Sequence, residues 1–557
     1  KRVTHVSGLM CDPCARLYNL AYLSLIHQHL QEDRDAVRDG VELVLRRKGI
    51  VFDAQSRARD ALQGRLSESA RKDWERLSVL RSELARLLLN KPEKMTTDAY
   101  KDKLASLQRQ IEEVEKRLAS ESELVARELK QRTITAEAVA KGLPKNAALV
   151  EFVKIQDYDF AKGKRAPIGR YLAFILTAAG DVTLVDLGDA STLETQARQA
   201  LEDIRIAMNK PIVLTIQRSL QSLNGLYAKV WAPLEKSLGT VDKVVVSPDG
   251  LLNLVPFATL MDGAGRPLVE RYRIAYVSSG REMIATAGET LKSDSDLLLV
   301  ANPAFDGTVQ GASRPEASLR SRDFRGVFSP LPGTEREAQE IPPLVAGQKQ
   351  VLVGERATEG AVKAARSPRI LHLATHGFFL TDEDLDLNQD TRGSFFQRDL
   401  VTQPRTPAKR YENPLVRAGL VFAGANHAAT ITEGDDGILT ALEITGMNLY
   451  GTDLVVLSAC DTGVGEIKNG EGVFGLRRAF ALTGAKNLLM SLWAVDDEST
   501  ANQMKAFYRN LQKLPPAEAL RQAQLDTIKE LKAQYNGVAP PGLWAPFILQ
   551  GAQALGQ

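Results

Sequence analysis

The chain has 557 residues, a formal net charge of +2, and 44% hydrophobic and 25% charged residues, which is an ordinary globular composition. The near-neutral charge gives no electrostatic case for direct nucleic-acid binding, and the lack of a run of about 18 apolar residues argues against a membrane span. Three cysteines are too few for a disulfide scaffold, so we expect a reducing, cytoplasmic setting. The chain starts at Lys1 without a Met, shows no signal-peptide pattern and enters directly into a helical pattern, so we expect a fragment or processed form of a longer protein.

Residues 1–65 carry apolar side chains at helical spacing, which predicts packed helices. They resemble the last units of a tetratricopeptide-type (TPR) repeat array. Cys11 and Cys14 have CxxC spacing, but no second pair completes a zinc site, so we expect no metal there.

Residues 66–144 show the clearest periodicity. Apolar residues recur every three or four positions from Trp74 to Leu87 and again from Leu104 to Leu118. Pro92 separates the two seams, which predicts a long antiparallel helical hairpin. A solvated spacer and a docking surface for a partner would both have this pattern.

From about residue 147 the period changes to that of strands. Residues 148–153, 170–176 and 182–187 are predicted strands, and helices are expected near 190–209 and 215–237. Strands and helices then alternate, with short apolar strand candidates at 244–247, 297–301, 350–353, 370–374, 419–422, 454–458 and 487–492. Near-continuous apolar runs of this kind predict an α/β fold with a mostly parallel sheet buried on both faces.

Residues 453–460 are predicted to form a buried strand that ends on the thiol of Cys460. In an open parallel sheet, ligands bind beyond the carboxyl ends of the strands, so this thiol would lie at the mouth of the crevice. There a helix N-terminus or an imidazole can favour the thiolate. A buried structural cysteine would have the same local pattern, so this strand alone leaves both interpretations open.

Residues 370–377 are likewise predicted to form a strand that ends in a turn, with His376 at its end. We expect His372, inside the strand, to be a core histidine. Gly377 would let the backbone approach a ligand, and its N–H could help to form an oxyanion hole. Because a nucleophilic thiol needs a base within hydrogen-bond reach, the two strand ends together predict a pair of His376 and Cys460.

Two segments, Ala-Thr-His-Gly at 374–377 and Leu-Ser-Ala-Cys-Asp-Thr-Gly at 457–463, resemble the signature motifs of the CHAT domain, a family related to caspases and separases. Further segments that resemble this family occur in order at 246–252, 256–257, 470–472 with Leu476, 491–497 and 544–547. The likeness covers about residues 145–557. It implies a caspase-like sheet flanked by helices, with a pseudo-caspase subdomain at 145–290 and a catalytic domain at 291–557.

The resemblance implies a cysteine endopeptidase in which His376 is the general base and Cys460 the nucleophile. The backbone N–H groups of Gly377 and Cys460 would form the oxyanion hole, and no metal or organic cofactor is implied. The segment 491–497 resembles the separase segment whose acidic residue receives a basic P1 side chain. This places Asp497 in the S1 pocket with Asp496 adjacent.

Two features keep the P1 preference open. Asp496, Asp497 and Glu498 could instead cap the helix that is expected to start near Ser499, where acidic residues are favoured. Ser458, which we also assign to the S1 pocket, stands where several relatives carry an acidic or amide residue.

The expected partners are a protein substrate and a regulatory protein that binds the N-terminal helices. The long segment 381–413 is a candidate switch, and four of its arginines are candidate self-cleavage sites, namely Arg392, Arg398, Arg405 and Arg410. The alternative is a catalytically silent TPR-CHAT scaffold that only binds proteins. A Cys460→Ala variant discriminates between the two.

Overall fold

The computed structural model describes residues 12–48, 68–89, 95–129, 134–284, 293, 295–307, 328–379, 414–431, 434–459, 466–468, 472–493 and 497–556. The α-helices in these ranges are α1 (Asp12–His29), α2 (Arg34–Arg47), α3 (Glu68–Leu89), α4 (Thr97–Leu129), α5 (Ala136–Gly142), α6 (Ala190–Asn209), α7 (Val213–Val230), α8 (Glu235–Leu238), α9 (Pro332–Glu340), α10 (Glu359–Lys363), α11 (Ala441–Ile444), α12 (Leu476–Leu482), α13 (Asp497–Leu511), α14 (Pro516–Gln534) and α15 (Pro541–Trp544).

The strands in the same ranges are β1 (Ala147–Asp159), β2 (Lys164–Thr177), β3 (Val182–Asp189), β4 (Lys243–Ser247), β5 (Arg273–Tyr276), β6 (Leu297–Pro303), β7 (Lys349–Gly354), β8 (Ile370–Ala374), β9 (Gly377–Phe379), β10 (Ala418–Val421), β11 (Ile438–Thr440), β12 (Leu454–Ser458), β13 (Glu466–Lys468), β14 (Gly472–Phe474), β15 (Leu488–Ser491) and β16 (Phe547–Gln550).

One large sheet has the strand order β3-β2-β1-β4-β5-β16-β15-β12-β8-β6-β7. Seven of the ten neighbouring pairs of these described strands run parallel, which confirms the predicted mostly parallel sheet. β16 is parallel to β5 and antiparallel to β15. Strands β1, β4 and β5, the first half of the sheet, therefore point the opposite way from β6, β8 and β12 in the second half.

Helices cover both faces of the sheet, because alternate side chains of its central strands point into two separate apolar cores. In β12, Val455 and Leu457 share a core with residues of α11 and α12. Leu454 and Val456 belong to the other core, to which α13 and α14 contribute. All five residues of β12 are buried, as expected for a strand between two helical layers.

The N-terminal helices α1 and α2 pack directly on the first half of the sheet. Ile26 of α1 lies in the same apolar core as Phe174 of β2. Gly40 permits this packing, because a Cβ at this position would lie 2.9 Å from the side chain of Ile26 and 3.3 Å from that of Phe174. His27 adds a polar contact, its Nε2 lying 2.6 Å from an Asp157 carboxylate oxygen.

A buried lysine ties the end of α2 to the carboxyl end of β4. The Lys48 ammonium donates to Glu151 Oε1 at 2.7 Å, to Ser247 Oγ at 2.7 Å, and to the carbonyl oxygens of Phe152 and Ser247, each at 2.9 Å. Lys48 is 4% exposed and Glu151 is fully buried. Helix α2 and the sheet therefore share both an apolar core and a buried ion pair, whereas the proposed boundary at residue 65 stays a prediction.

Helices α3 and α4 form the expected hairpin. Ion pairs join Asp73 to Arg117 and Glu83 to Lys103, so the two helices are antiparallel. Its apolar seam also packs against Leu442 of α11. The indole N–H of Trp74 donates to the Gly446 carbonyl at 3.3 Å. The hairpin is therefore docked on the second half of the molecule, and no helix in the described ranges combines the length and apolarity needed to cross a bilayer.

Candidate functional site

The two strands that carry the motif residues are direct neighbours. β8 lies between β6 and β12, and Ala374 is paired with Ser458 on one side and with Ala301 on the other. In sequence, His376 follows Ala374 by two residues and Cys460 follows Ser458 by two residues. Cys460 and residues 461–465 lie outside the described residues, so the thiol's position beside His376 stays a prediction.

His376 lies just past the end of β8 with its imidazole oriented by a backbone carbonyl. Its Nε2 lies 2.8 Å from the Ser329 oxygen. Because a carbonyl can only accept, Nε2 must carry the hydrogen, which leaves the lone pair of neutral imidazole on Nδ1. The rings of Phe305 and Phe328 flank the imidazole at centroid distances of 5.1 and 5.6 Å. This arrangement provides one defined nitrogen as a proton acceptor.

Burial lowers the pKa of His376 below its usual value, since the charged form loses hydration. The hydrogen bond to Ser329 and the negative charge of Asp497 act in the opposite direction, and the net shift is downward. His376 is therefore neutral near pH 7, the state that a general base requires.

The backbone around His376 is held by a second, three-stranded sheet of β9, β10 and β11. Val421 N–H of β10 donates to the His376 carbonyl at 3.0 Å, and the Thr375 hydroxyl donates to the Val421 carbonyl. Gly377 begins β9 directly after the imidazole and is paired with Leu420. The position of the histidine is thus fixed from two sheets, while the oxyanion role of Gly377 stays a prediction.

Asp497 is the first residue of α13 and is half-buried. Its carboxylate accepts a hydrogen bond from Gly333 N–H in the first turn of α9. A Cβ at position 333 would lie 2.4 Å from the Asp497 backbone oxygen, so glycine permits this close approach. The negative charge lies at the N-termini of two helices, which stabilises it. The helix begins at Asp497, two residues before the expected start near Ser499, and the Gly333 contact belongs to a different helix, α9. The S1 role of Asp497 stays a prediction, and Asp496 lies outside the described residues.

Ser458, the last residue of β12, is 3% exposed. Its hydroxyl donates to Glu337 Oε1 at 2.8 Å. Glu337 belongs to α9, which packs on the face of the sheet to which Val456 points. The Ser458 hydroxyl is therefore hydrogen-bonded in the protein interior. Its assignment to the S1 pocket stays a prediction.

His372 is fully buried, which confirms its predicted core position. Its Nδ1 lies 2.9 Å from the Tyr508 hydroxyl. Three residues that the structure brings to this region, Ser329, Glu337 and Tyr508, carry no signal in the sequence, because a carbonyl contact and a buried helix face depend on tertiary packing. Among the described residues, no group of three or more His, Cys, Asp or Glu side chains could hold a metal ion. Cys11 lies outside those residues.

Residues 220–552 match the family model of the CHAT domain. Human tetratricopeptide repeat protein 28 is 24% identical over 352 residues, and its mouse counterpart is 26% identical over the same length. Each alignment covers 59% of this chain and 13% of the relative, so the chain corresponds to a small part of those proteins.

Among solved structures, a Saccharomyces cerevisiae separase–securin complex is similar with a TM-score of 0.41 and 9% identity, over 95% of this chain and 38% of the other. The Arg-specific cysteine proteinase gingipain R is similar with a TM-score of 0.33 and 9% identity, over 62% of this chain and 69% of the other. At these scores the likeness does not bear on activity.

Proposed function

This chain belongs to the CHAT domain family, and from that premise we propose that it is a cysteine endopeptidase with His376 as general base and Cys460 as nucleophile. The observation that best supports the proposed base is the orientation of the His376 imidazole. This side chain lies just past the carboxyl end of β8, and its Nε2–H donates to the Ser329 carbonyl. The neighbouring strand β12, in register with β8, leads into Cys460.

In the proposed reaction, Nδ1 of His376 accepts the proton of the Cys460 thiol as sulfur attacks the peptide carbonyl carbon. The oxyanion would be stabilised by the N–H groups of Gly377 and Cys460. The imidazolium then returns its proton to the leaving amine, and the C–N bond breaks to give a thioester. Attack by water, with His376 again accepting a proton, releases the carboxylic acid and restores the thiol.

The surroundings of His376 suit both halves of this cycle. Burial favours the neutral base that begins the reaction. The Ser329 carbonyl and the charge of Asp497 favour the imidazolium that forms during attack. A base that must gain and lose a proton in each turnover works best when such influences oppose one another.

We further propose that the S1 pocket contains Asp497, with Asp496 and Ser458 near it, and that it prefers Arg or Lys. A carboxylate can accept several hydrogen bonds, so the Asp497 carboxylate could receive a guanidinium while bound to Gly333 N–H. The hydroxyl of Ser458 already donates to Glu337, so its contribution would be indirect.

Regulation by a protein partner at the N-terminal helices is the last part of this proposal. The matched relatives are named for tetratricopeptide repeats. Here α3 contacts the second half directly, since the Arg81 guanidinium donates to Thr445 Oγ1 at 2.9 Å. A partner that displaced the hairpin of α3 and α4 would therefore expose the surface near Thr445, in the half of the molecule that carries His376.

The test compares the wild-type full chain with Cys460→Ala, His376→Ala and the matched control Cys14→Ala. Fluorogenic peptides with Arg, Lys, Asp or Leu at P1 are the substrates, and a P1-Arg electrophile followed by peptide mass mapping reports the reactive thiol. We expect cleavage after Arg or Lys by the wild type and the control, and none by the other two variants. Cleavage that survives Cys460→Ala would refute the mechanism. A biological effect that survives this substitution would favour the scaffold alternative.

A further inference from the structure

A buried polar cluster lies beneath the edge of the sheet that carries His376. It consists of Glu337 from α9, His372 from β8, Ser458 from β12 and Tyr508 from α13. Glu337 Oε1 accepts from the Ser458 hydroxyl at 2.8 Å, and Oε2 lies 3.0 Å from His372 Nε2. His372 Nδ1 lies 2.9 Å from the Tyr508 hydroxyl. We call these four residues the Glu337 cluster; each is at most 3% exposed.

One carboxylate thus contacts both strands that lead to the motif residues. Ser458 is the last residue of β12, and His372 lies within β8, two residues before the strand ends. The approach of Glu337 Oε2 to His372 Nε2 lacks hydrogen-bond geometry, although the two atoms are close. Because buried polar atoms are costly without partners, the energy of this contact depends strongly on how β8 and α9 lie relative to each other.

The segment that leads into Glu337 also contacts the site itself. The Ser329 carbonyl accepts from His376 Nε2–H, and Gly333 N–H donates to the Asp497 carboxylate. Thr334 Oγ1 accepts from the backbone N–H of Asn302 at the end of β6. Residues 329–337 therefore touch the imidazole and Asp497 at one end and the two central strands at the other.

We propose that Glu337 is a positioning residue for the peptidase reaction. By accepting a hydrogen bond from Ser458 and lying against His372, it holds the carboxyl ends of β12 and β8 in the relative position that brings Cys460 and His376 together. This inference rests on the proposed function of His376 and Cys460. It assigns Ser458 to the support of the site, through its bond to Glu337. A displacement of about 1 Å between reacting groups can lower a rate by about 100-fold, so a contact several residues away can matter.

The test uses Glu337→Gln and, as a milder change, Ser458→Ala. The matched control is Glu151→Gln, since Glu151 is equally buried and binds Lys48 in the first half of the sheet, away from His376. Two readouts are measured on the full chain: kcat and KM for the best P1-Arg fluorogenic peptide, and the pH profile of Cys460 alkylation by iodoacetamide. Thermal unfolding is followed in parallel.

We expect Glu337→Gln to lower kcat by at least about 10-fold with KM changed by less than about 3-fold, because His376 and Cys460 are misplaced and the substrate is not. The midpoint of Cys460 alkylation should move toward the value of a free thiol, about pH 8.5. Ser458→Ala should show the same pattern with a smaller loss. Glu151→Gln should lower the thermal midpoint while kcat and the alkylation profile stay at wild-type values.

The outcomes separate this inference from the proposed function. A folded Glu337→Gln variant with wild-type kcat and alkylation profile overturns the positioning role and leaves the proposed roles of His376 and Cys460 unaffected. If Glu337→Gln does not fold, wild-type kcat in Ser458→Ala overturns it. If the wild type cleaves no peptide and its Cys460 titrates as a free thiol whether or not His376 is present, the proposed function fails and the positioning role fails with it.

Discussion

The two halves of the sheet use the carboxyl ends of their strands in different ways. At the end of β4, the Lys48 ammonium inserts between Glu151 and Ser247, and all of its contacts are short and buried. At the end of β8, the His376 imidazole is only partly buried and bonds one carbonyl through Nε2. The first arrangement joins a helix to the sheet, whereas the second leaves a nitrogen that can accept a proton.

The physical reason for this difference is how fully the hydrogen-bonding groups of each side chain are used. An ammonium that donates to a carboxylate, a hydroxyl and carbonyls is held firmly and has little left to offer a ligand. Among the described residues, the His376 imidazole is oriented by its single hydrogen bond through Nε2, which leaves Nδ1 able to accept a proton. Because β15 and β16 are antiparallel, the two strand ends also lie at opposite edges of the sheet. The contacts that hold α2 and the histidine of the candidate site are thus at opposite edges of one sheet.

The largest effect is expected for Lys48→Met, which leaves Glu151 buried without its cation. Breaking a buried ion pair from one side should lower the free energy of unfolding by about 3–5 kcal/mol, measured by urea denaturation. The double variant Lys48→Met/Glu151→Gln should recover part of the loss, and exposed Lys162→Met should change stability far less. A single variant as stable as wild type would show that the ion pair does not hold α2 on the sheet.

His376→Ala should give the opposite profile. Peptide cleavage is expected to fall by at least about 100-fold, since a positioned base is lost. The side chain is only partly buried, so the unfolding midpoint in urea should move much less than for Lys48→Met. A comparable loss of stability in both variants would contradict the division between docking and chemistry.

His27→Ala probes another attachment of the N-terminal helices, the contact of His27 Nε2 with Asp157 at 2.6 Å. Loss of a hydrogen bond to a charged group should lower the unfolding free energy by about 2 kcal/mol, less than for Lys48. His29→Ala, an exposed position on the same helix, is the control. A stability change no larger than that of the control would show that the His27–Asp157 contact does not help to hold α1 on the sheet.

The smallest effect is expected in the pH profile. Since burial lowers the pKa of His376, the acidic limb of cleavage should lie below the usual histidine value of about 6.5. Asp497→Asn removes a charge that raises this pKa, so the limb should move further toward acid, by less than about one unit. The exposed neighbour Glu498→Gln is the control. A limb that moves toward alkali would contradict the sign of this interaction.

The same shift has a consequence for stability. A histidine whose folded pKa lies below its unfolded value binds fewer protons in the native state, so stability falls as the pH drops below the unfolded value. Urea denaturation of the wild type and of His376→Ala between pH 7 and pH 5 measures this contribution as the difference in slope.

Several elements could be predicted from local pattern alone. The buried strands β8 and β12 have the bounds expected from their apolar runs, and α6 spans the predicted 190–209. The short strands β5 and β16 were missed, because Arg273–Tyr276 and Phe547–Gln550 lack a distinct periodicity. Their place in the middle of the sheet depends on pairing with each other and with β4 and β15. Pairing between distant segments leaves no local signal.

The candidate site divides in the same way. A strand that ends on His376 and the CHAT motifs are visible in the sequence, since buried strands and turn residues follow local rules. The Ser329 carbonyl, the Glu337 cluster and the insertion of Lys48 beside Glu151 are decided by tertiary structure alone. Each joins residues far apart in the chain, through contacts whose energy depends on burial and on sub-ångström geometry. The amino-acid order by itself therefore determined which groups can react, and packing decided how they are oriented and what supports them.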